Sequence, residues 1–194
     1  MELWAGKTAV VTGASAGIGA AVALALADAG LVVVAGARRV ELVEELQERV
    51  KGPGRIIPVK CDVGRPEDLA RLMATAAAGG GVDVLVNNAA LLHNGTVSDC
   101  QGSGTLLEDI EQSWSVNVMA VVRATRLAVN SKGEHLLIMM MAPGARHHHD
   151  QQVLSVHEIC WRRCYGGGEA TRLAVNSKGE HLLIMMMAPG APSS

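Results

Sequence analysis

The chain has 194 residues, 49% of them hydrophobic, and a formal net charge of −2. That length and apolar content suit one domain with a sizeable core and exclude a disordered chain. The near-neutral charge gives no electrostatic case for nucleic acid or an anionic membrane as a partner. Phe is absent, and there are three Trp and one Tyr, so the core has to be built from Ala, Val, Leu, Ile and Met. The opening MELWAGK is too polar for a secretory leader. The apolar stretch 20–36 is interrupted by Asp28 and Gly30, which argues against a membrane span. Cys61, Cys100, Cys160 and Cys164 without a secretory signal are expected to be reduced thiols in a cytoplasmic protein.

Apolar runs and helical patterns alternate from the start. Residues 7–12 (KTAVVT) read as a buried strand, 17–29 as a helix, and 31–36 (LVVVAG) as a second strand. Residues 40–50 (VELVEELQERV) form an amphipathic helix pattern. Residues 55–60 (RIIPVK) read as a strand, although Pro58 weakens that pattern. Residues 66–78 open with Pro, Glu and Asp, as helices do, and 82–87 (VDVLVN) is a fourth strand. Residues 91–107 are polar and Gly-rich and read as a loop. Residues 107–129 read as one long helix with Gly133 as a stop, and 135–141 (HLLIMMM) as a fifth strand. This alternation predicts a Rossmann-like, doubly wound α/β fold: a parallel sheet in the order 3-2-1-4-5 with helices on both faces.

The 22 residues ATRLAVNSKGEHLLIMMMAPGA at 124–145 recur without change at 170–191. Two copies are too few for a solenoid. The second copy predicts one more helix–strand unit, with its HLLIMMM adding a sixth parallel strand. The expected organisation is a dinucleotide-binding domain over 1–145, an irregular His- and Cys-containing connection over 146–169, and the duplicated helix–strand segment over 170–194.

The strongest motif is Thr12-Gly-Ala-Ser-Ala-Gly-Ile-Gly19. It follows the first strand and opens the first helix. There, glycines let the backbone turn tightly and approach a pyrophosphate, and the helix N-terminus offers free N–H groups to it. Together with Cys61-Asp62-Val63 after strand three, Asn87-Asn88-Ala89-Ala90 after strand four, and Ser115-Val-Asn117-Val in the long helix, this motif resembles the short-chain dehydrogenase/reductase family. The resemblance covers residues 1 to about 130. It implies that Gly13, Ala14, Ser15, Gly17, Ile18 and Gly19 line the pyrophosphate and ribose of a nicotinamide dinucleotide. Asp62 and Val63 would hold the adenine, and Asn87, Asn88, Ala89 and Ala90 would lie along the adenosine side. Ala90 stands where the family usually has Gly. At the end of strand two, an acid would bind the ribose 2′-hydroxyl of NAD, whereas Arg accommodates the 2′-phosphate of NADP. Arg38 and Arg39 occupy that turn, so the expected cofactor is NADP.

The resemblance also implies an oxidoreductase acting on a small alcohol or carbonyl, and self-association through the long helix 107–129. The family's chemistry uses a Tyr, a Lys four residues later that lowers its pKa, a Ser after strand five, and an Asn in the long helix. Asn117 fits the last of these. Strand five ends instead in Met139-Met140-Met141, whose thioethers donate no hydrogen bond. The single tyrosine, Tyr165, is followed four residues on by Glu169, and no Tyr-x-x-x-Lys occurs in this sequence. The alternative expectation is therefore a catalytically silent NADP-binding protein or a truncated isoform. His147, His148, His149, Asp150, His157, Cys160 and Cys164 invite a metal reading, but no complete four-ligand spacing appears, so no metal is expected.

Overall fold

The structure, a computed structural model, describes residues 4–91, 105–131, 136–141, 170–177 and 180–187. The chain runs β1 (Thr8–Thr12), α1 (Gly17–Asp28), β2 (Val32–Ala37), α2 (Glu41–Gln47), β3 (Arg55–Lys60), α3 (Pro66–Ala77) and β4 (Val84–Asn87). After these come α4 (Thr105–Trp114), a π-helical turn (Ser115–Met119), α5 (Ala120–Ser131), β5 (Leu137–Met141), β6 (Ala170–Ser177) and β7 (Glu180–Met187).

The seven strands form one sheet in the order β3-β2-β1-β4-β5-β7-β6. The first five carry the expected 3-2-1-4-5 order, and all their pairings are parallel. Pro58 lies in β3, an edge strand, where its missing N–H costs no ladder bond on the open side.

Side-chain alternation along the strands divides the core between two faces. Ala9, Val11, Val33, Val84 and Val86 pack with Val22 and Leu26 of α1 and Val43 and Leu46 of α2. Val10, Val34, Leu85 and Ile138 pack on the other face with Leu69 and Leu72 of α3 and Ala120, Ala124 and Ala128 of α5. Leu26, Leu72 and Leu85 are at most 1% exposed, and burying each contributes roughly 1.5–3 kcal/mol. A continuous run such as TAVVT makes a strand here because helices cover both faces.

Two elements differ from what the sequence predicts. The long helix is present, but it is interrupted by the π turn, where the Ala120 N–H reaches back to the Ser115 carbonyl. The first half of the second repeat copy, predicted as helix, is a strand. ATRLAVNS is helical at 124–131, within α5, and extended at 170–177, as β6. In the first copy the octapeptide continues a helix already nucleated upstream, and it buries Ala124 and Ala128. In the second it pairs antiparallel with all eight residues of β7, from Ala170 opposite Met187 to Ser177 opposite Glu180. Propensity is too weak to choose between these settings, so the neighbours decide. The second HLLIMMM does add a parallel strand: β7 lies beside β5.

Candidate functional site

The sheet order reverses between β1 and β4, and a cleft of about 570 Å³ opens over the C-terminal ends of the first four strands. This is the topological switch point where doubly wound sheets take ligands. Gly13 and Ser15 follow β1, Arg38 and Arg39 follow β2, Cys61 to Val63 follow β3, and Asn88 to Leu91 follow β4. Ala37 closes β2 against it, and Gln112 and Val116 reach it from the long helix.

The loop after β1 is shaped by its glycines. Gly13 sits at φ +69°, and an added Cβ would lie 2.8 Å from Ala89 Cα and 2.9 Å from Asn88 Nδ2. Gly17 sits at φ +57° with nothing within 4 Å of where a Cβ would be, so this side of the turn is open. A Cβ on Gly19 would run into Asn88 Nδ2 and the Gly13 carbonyl oxygen. Ala14 is fully buried, and its N–H donates to the Gly36 carbonyl at 3.2 Å. It supports the loop from below rather than lining the cleft. Ile18 is half-buried and packs on the core under α1.

Asn88 clamps this loop. Its Nδ2 donates to the carbonyls of Thr12 at 3.0 Å and Gly13 at 3.1 Å. The backbone N–H groups of Asn88 and Ala89 both donate to Thr12 Oγ1 at 3.1 Å, and that hydroxyl donates to the Val86 carbonyl at 3.3 Å. Asn87, at the end of β4, is 5% exposed, and its Nδ2 has no partner. Its ladder neighbour on β5 is Met140.

The electrostatics favour an anion. The N-terminus of α1 has no side-chain cap and no acidic residue in its first turn, whereas α2 opens with Glu41 and Glu44 and α3 with Glu67 and Asp68. The uncapped N–H groups and the positive end of the helix dipole therefore remain available beside Gly13 and Ser15. Arg38 and Arg39 flank the same cleft, and the ion pairs among the described residues, Lys7–Asp83 and Arg71–Asp68, do not engage either of them.

The turn after β3 is held by two carboxylates. Asp68 accepts from the Asp62 N–H at 2.9 Å and from Arg71 at 2.7 Å. That backbone hydrogen bond first, and the Arg71 contact second, hold its carboxyl below the usual value. Asp62 Oδ1 accepts from the Gly64 N–H at 3.0 Å. Cys61 is buried at the cleft wall. Burial, reinforced by Asp68 and Asp62 and opposed by Arg71, pushes its thiol up to about 12. It is therefore a neutral wall rather than a nucleophile.

Asn117 lies in the π turn, outside the cleft lining. Its Nδ2 donates to the Leu91 carbonyl and its Oδ1 accepts from the Leu91 N–H, each at 2.8 Å. The amide thereby ties the strap after β4 to the long helix. Among the described residues no group of three or more His, Cys, Asp or Glu is placed to hold a metal ion. The sequence cluster from His147 to Cys164, together with Tyr165 and Glu169, lies outside the described residues. No helix among the described residues is long and apolar enough to cross a membrane.

Of the residues singled out by sequence, Gly13, Ser15, Arg38, Arg39, Asp62, Val63, Asn88, Ala89 and Ala90 converge on the cleft. Gly17, Ile18 and Gly19 form the first turn of α1 beside it. Cys61, Gln112 and Val116 were not foreseen as lining. CDV contains Cys61 and SVNV contains Val116, but Gln112 lies in neither, and which face of the long helix turns toward the strands is not written in either motif.

A doubly wound sheet with a glycine loop, an uncapped helix start and a cleft at its switch point defines a nucleotide-binding class of α/β protein. The chain matches the short chain dehydrogenase family over residues 7–142 and belongs to it. It is 45% identical over 136 residues to farnesol dehydrogenase of Aedes aegypti, covering 68% of this chain and 53% of that protein. It is 36% identical over 167 residues to dehydrogenase/reductase SDR family member 11 of Bos taurus, covering 84% and 59%. Among solved structures it is similar to a short chain dehydrogenase from Burkholderia cenocepacia in complex with NADP, with a TM-score of 0.65 and 33% identity over 72% of this chain and 56% of that one. It is also similar to L-sorbose reductase from Gluconobacter frateurii complexed with NADPH and L-sorbose, with a TM-score of 0.64 and 32% identity over 73% and 54%. The chain spans about half the length of the curated relatives it matches.

Proposed function

We propose that this chain binds NADP and belongs to an oxidoreductase system acting on a small alcohol or carbonyl. The observation that carries the cofactor choice is the pair of guanidiniums, Arg38 and Arg39, flanking the cleft at the end of β2, where an NAD site would carry a carboxylate. Solved relatives that hold NADP or NADPH support the same choice.

The residues present fit such a group. The open, left-handed Gly17 and the uncapped α1 N-terminus would receive the pyrophosphate. Asp62 and Val63, braced by Asp68, would hold the adenine, and Asn88 to Ala90 would lie along the adenosine. Ala14 and Gly19 shape the loop from behind, and Asn87 ends the strand that carries this wall. Ala90 adds a methyl group to the lining. A bound nicotinamide supplies the ring that gives or accepts hydride. The residues named above would hold the adenosine and pyrophosphate of the same cofactor. Asn117 acts as a positioning residue, because both polar atoms of its amide are used in holding Leu91.

A second reading rests on the residues meant to move the proton. The lone Tyr165 is followed by Glu169 where a Lys is needed, and β5 carries Met139 to Met141 where a Ser is needed. A carboxylate raises a neighbouring phenol's pKa, the wrong direction for a base. On this reading the chain is a silent NADP-binding protein. Steady-state oxidation of NADPH with a panel of small aldehydes and ketones separates the two: turnover establishes the enzyme, and binding without turnover establishes the silent binder. Self-association through the long helix is supported by Leu107, Ile110 and Trp114, which stand 69%, 53% and 60% exposed along one helical stripe.

A further inference from the structure

The β5–β7 pairing has an unusual property. β7 lies parallel to β5 with Leu137 beside Leu183, Ile138 beside Ile184, and Met139, Met140 and Met141 beside Met185, Met186 and Met187. At every level the chain has placed a residue beside its own copy. The spacing of the repeat, 46 residues, is also the spacing of the ladder. Identical strands stacked parallel and in register form the geometry that propagates in cross-β assemblies, because each added strand presents the edge that recruited it.

That logic applies here step by step. The edge of β5 that accepts β7 is repeated, residue for residue, on the far side of β7. What covers that far edge is β6, an antiparallel strand of different sequence. An antiparallel partner ends the series, since β6 does not repeat the edge it covers. The same octapeptide is a helix at 124–131, so β6 holds a conformation its sequence can leave. Among the described residues, the β6–β7 hairpin joins the rest of the sheet through β5.

We propose that the outer edge of β7 is a self-recognition surface whose partner is the 180–187 strand of a second copy of this chain, released from its own β5, and that β6 is the cap that blocks it. The contact is head-to-tail. The molecule that donates its strand leaves its β5 edge open, so the series does not close and grows into filaments. The occupant follows from the ladder already present: one parallel, in-register step is made within the chain, and the next uses the same five residues.

The test compares the full-length chain with Leu173→Pro/Ala174→Pro, which removes a β6 N–H on either edge. A second variant, Leu173→Ala/Val175→Ala, shifts the octapeptide toward helix without proline. Light scattering and a dye specific for cross-β structure are followed against protein concentration. Amide exchange over β1 and β4 reports that the domain stays folded. The expected result is concentration-dependent growth in both variants, at least tenfold faster than in the unaltered chain, and its suppression when Ile184→Lys is added. Growth that Ile184→Lys leaves untouched would overturn the proposal. So would an unchanged size distribution in either variant once amide exchange shows β6 open.

Discussion

Asn88 is the point at which the glycine loop can be tested apart from any ligand. Its side chain donates to two backbone carbonyls, those of Thr12 and Gly13. At about 0.5–1.5 kcal/mol for each bond, Asn88→Ala should cost about 1–3 kcal/mol of stability. Asn88→Asp is nearly isosteric but replaces the donor with an acceptor, placing a carboxylate against the same two carbonyl oxygens. Leaving both unsatisfied beside a charge should cost about 3 kcal/mol or more. The order wild type, then Ala, then Asp is therefore set by hydrogen-bond polarity, not by size. Urea unfolding followed by far-UV dichroism measures it, with NADPH titration of each variant under native conditions. NADPH affinity should fall in the same order, because the loop loses its fixed shape and Asp adds negative charge near the proposed pyrophosphate site. An Asn88→Asp protein that unfolds at the wild-type urea concentration would show that the clamp is incidental.

Three further outcomes follow from the same geometry. Gly19→Ala gains about 1 kcal/mol of helix propensity, but its methyl meets Asn88 Nδ2 and the Gly13 carbonyl, an overlap costing typically 1–3 kcal/mol. Net destabilisation with weakened NADPH binding is expected in thermal melts, and a stabilised variant would contradict the close approach. The Cys61 thiol, pushed up to about 12 from 9.0, should resist iodoacetamide at pH 9 in the native protein and react once it is unfolded, as read by peptide mass mapping. Because its folded pKa is raised, the stability linked to it is complete below pH 9 and declines as pH rises toward 12. Asp68 has the opposite sign. Its folded pKa lies below 3.8, so its contribution is present above that value and is lost as pH falls through the lower folded one. The stability difference between wild type and Asp68→Asn should therefore vanish in strong acid.

Much of the first 90 residues was legible because fully buried strands write continuous apolar runs. TAVVT and LVVVAG are short runs rich in β-branched residues, the pattern of strands buried on both faces. Pro58 weakened the strand pattern at 55–60, and the strand forms there because β3 is an edge, where proline is tolerated. The π turn at Ser115–Met119 was not legible. Neither Gly nor Pro marks it, and SVNVM reads as ordinary helix. Gln112 and Val116 escaped for a related reason: they reach the cleft only because of how the long helix crosses the strands, and that packing angle is not a sequence pattern. ATRLAVNS shows the limit most directly. Its eight residues form a helix where a preceding helix nucleates them and a strand where β7 offers a ladder, so no local reading could have assigned both copies.

The central claim is that the cleft is an NADP site selected by Arg38 and Arg39. The most direct measurement is calorimetric titration of the chain with NADPH and with NADH, repeated on Arg38→Ala/Arg39→Ala. Hydrogen bonds to charged groups contribute about 1.5–3 kcal/mol each, so NADPH should bind at least tenfold more tightly than NADH, and the double variant should lose that preference while keeping its affinity for NADH. Equal affinities in the unaltered chain, or a preference for NADPH that survives the loss of both arginines, would contradict the account.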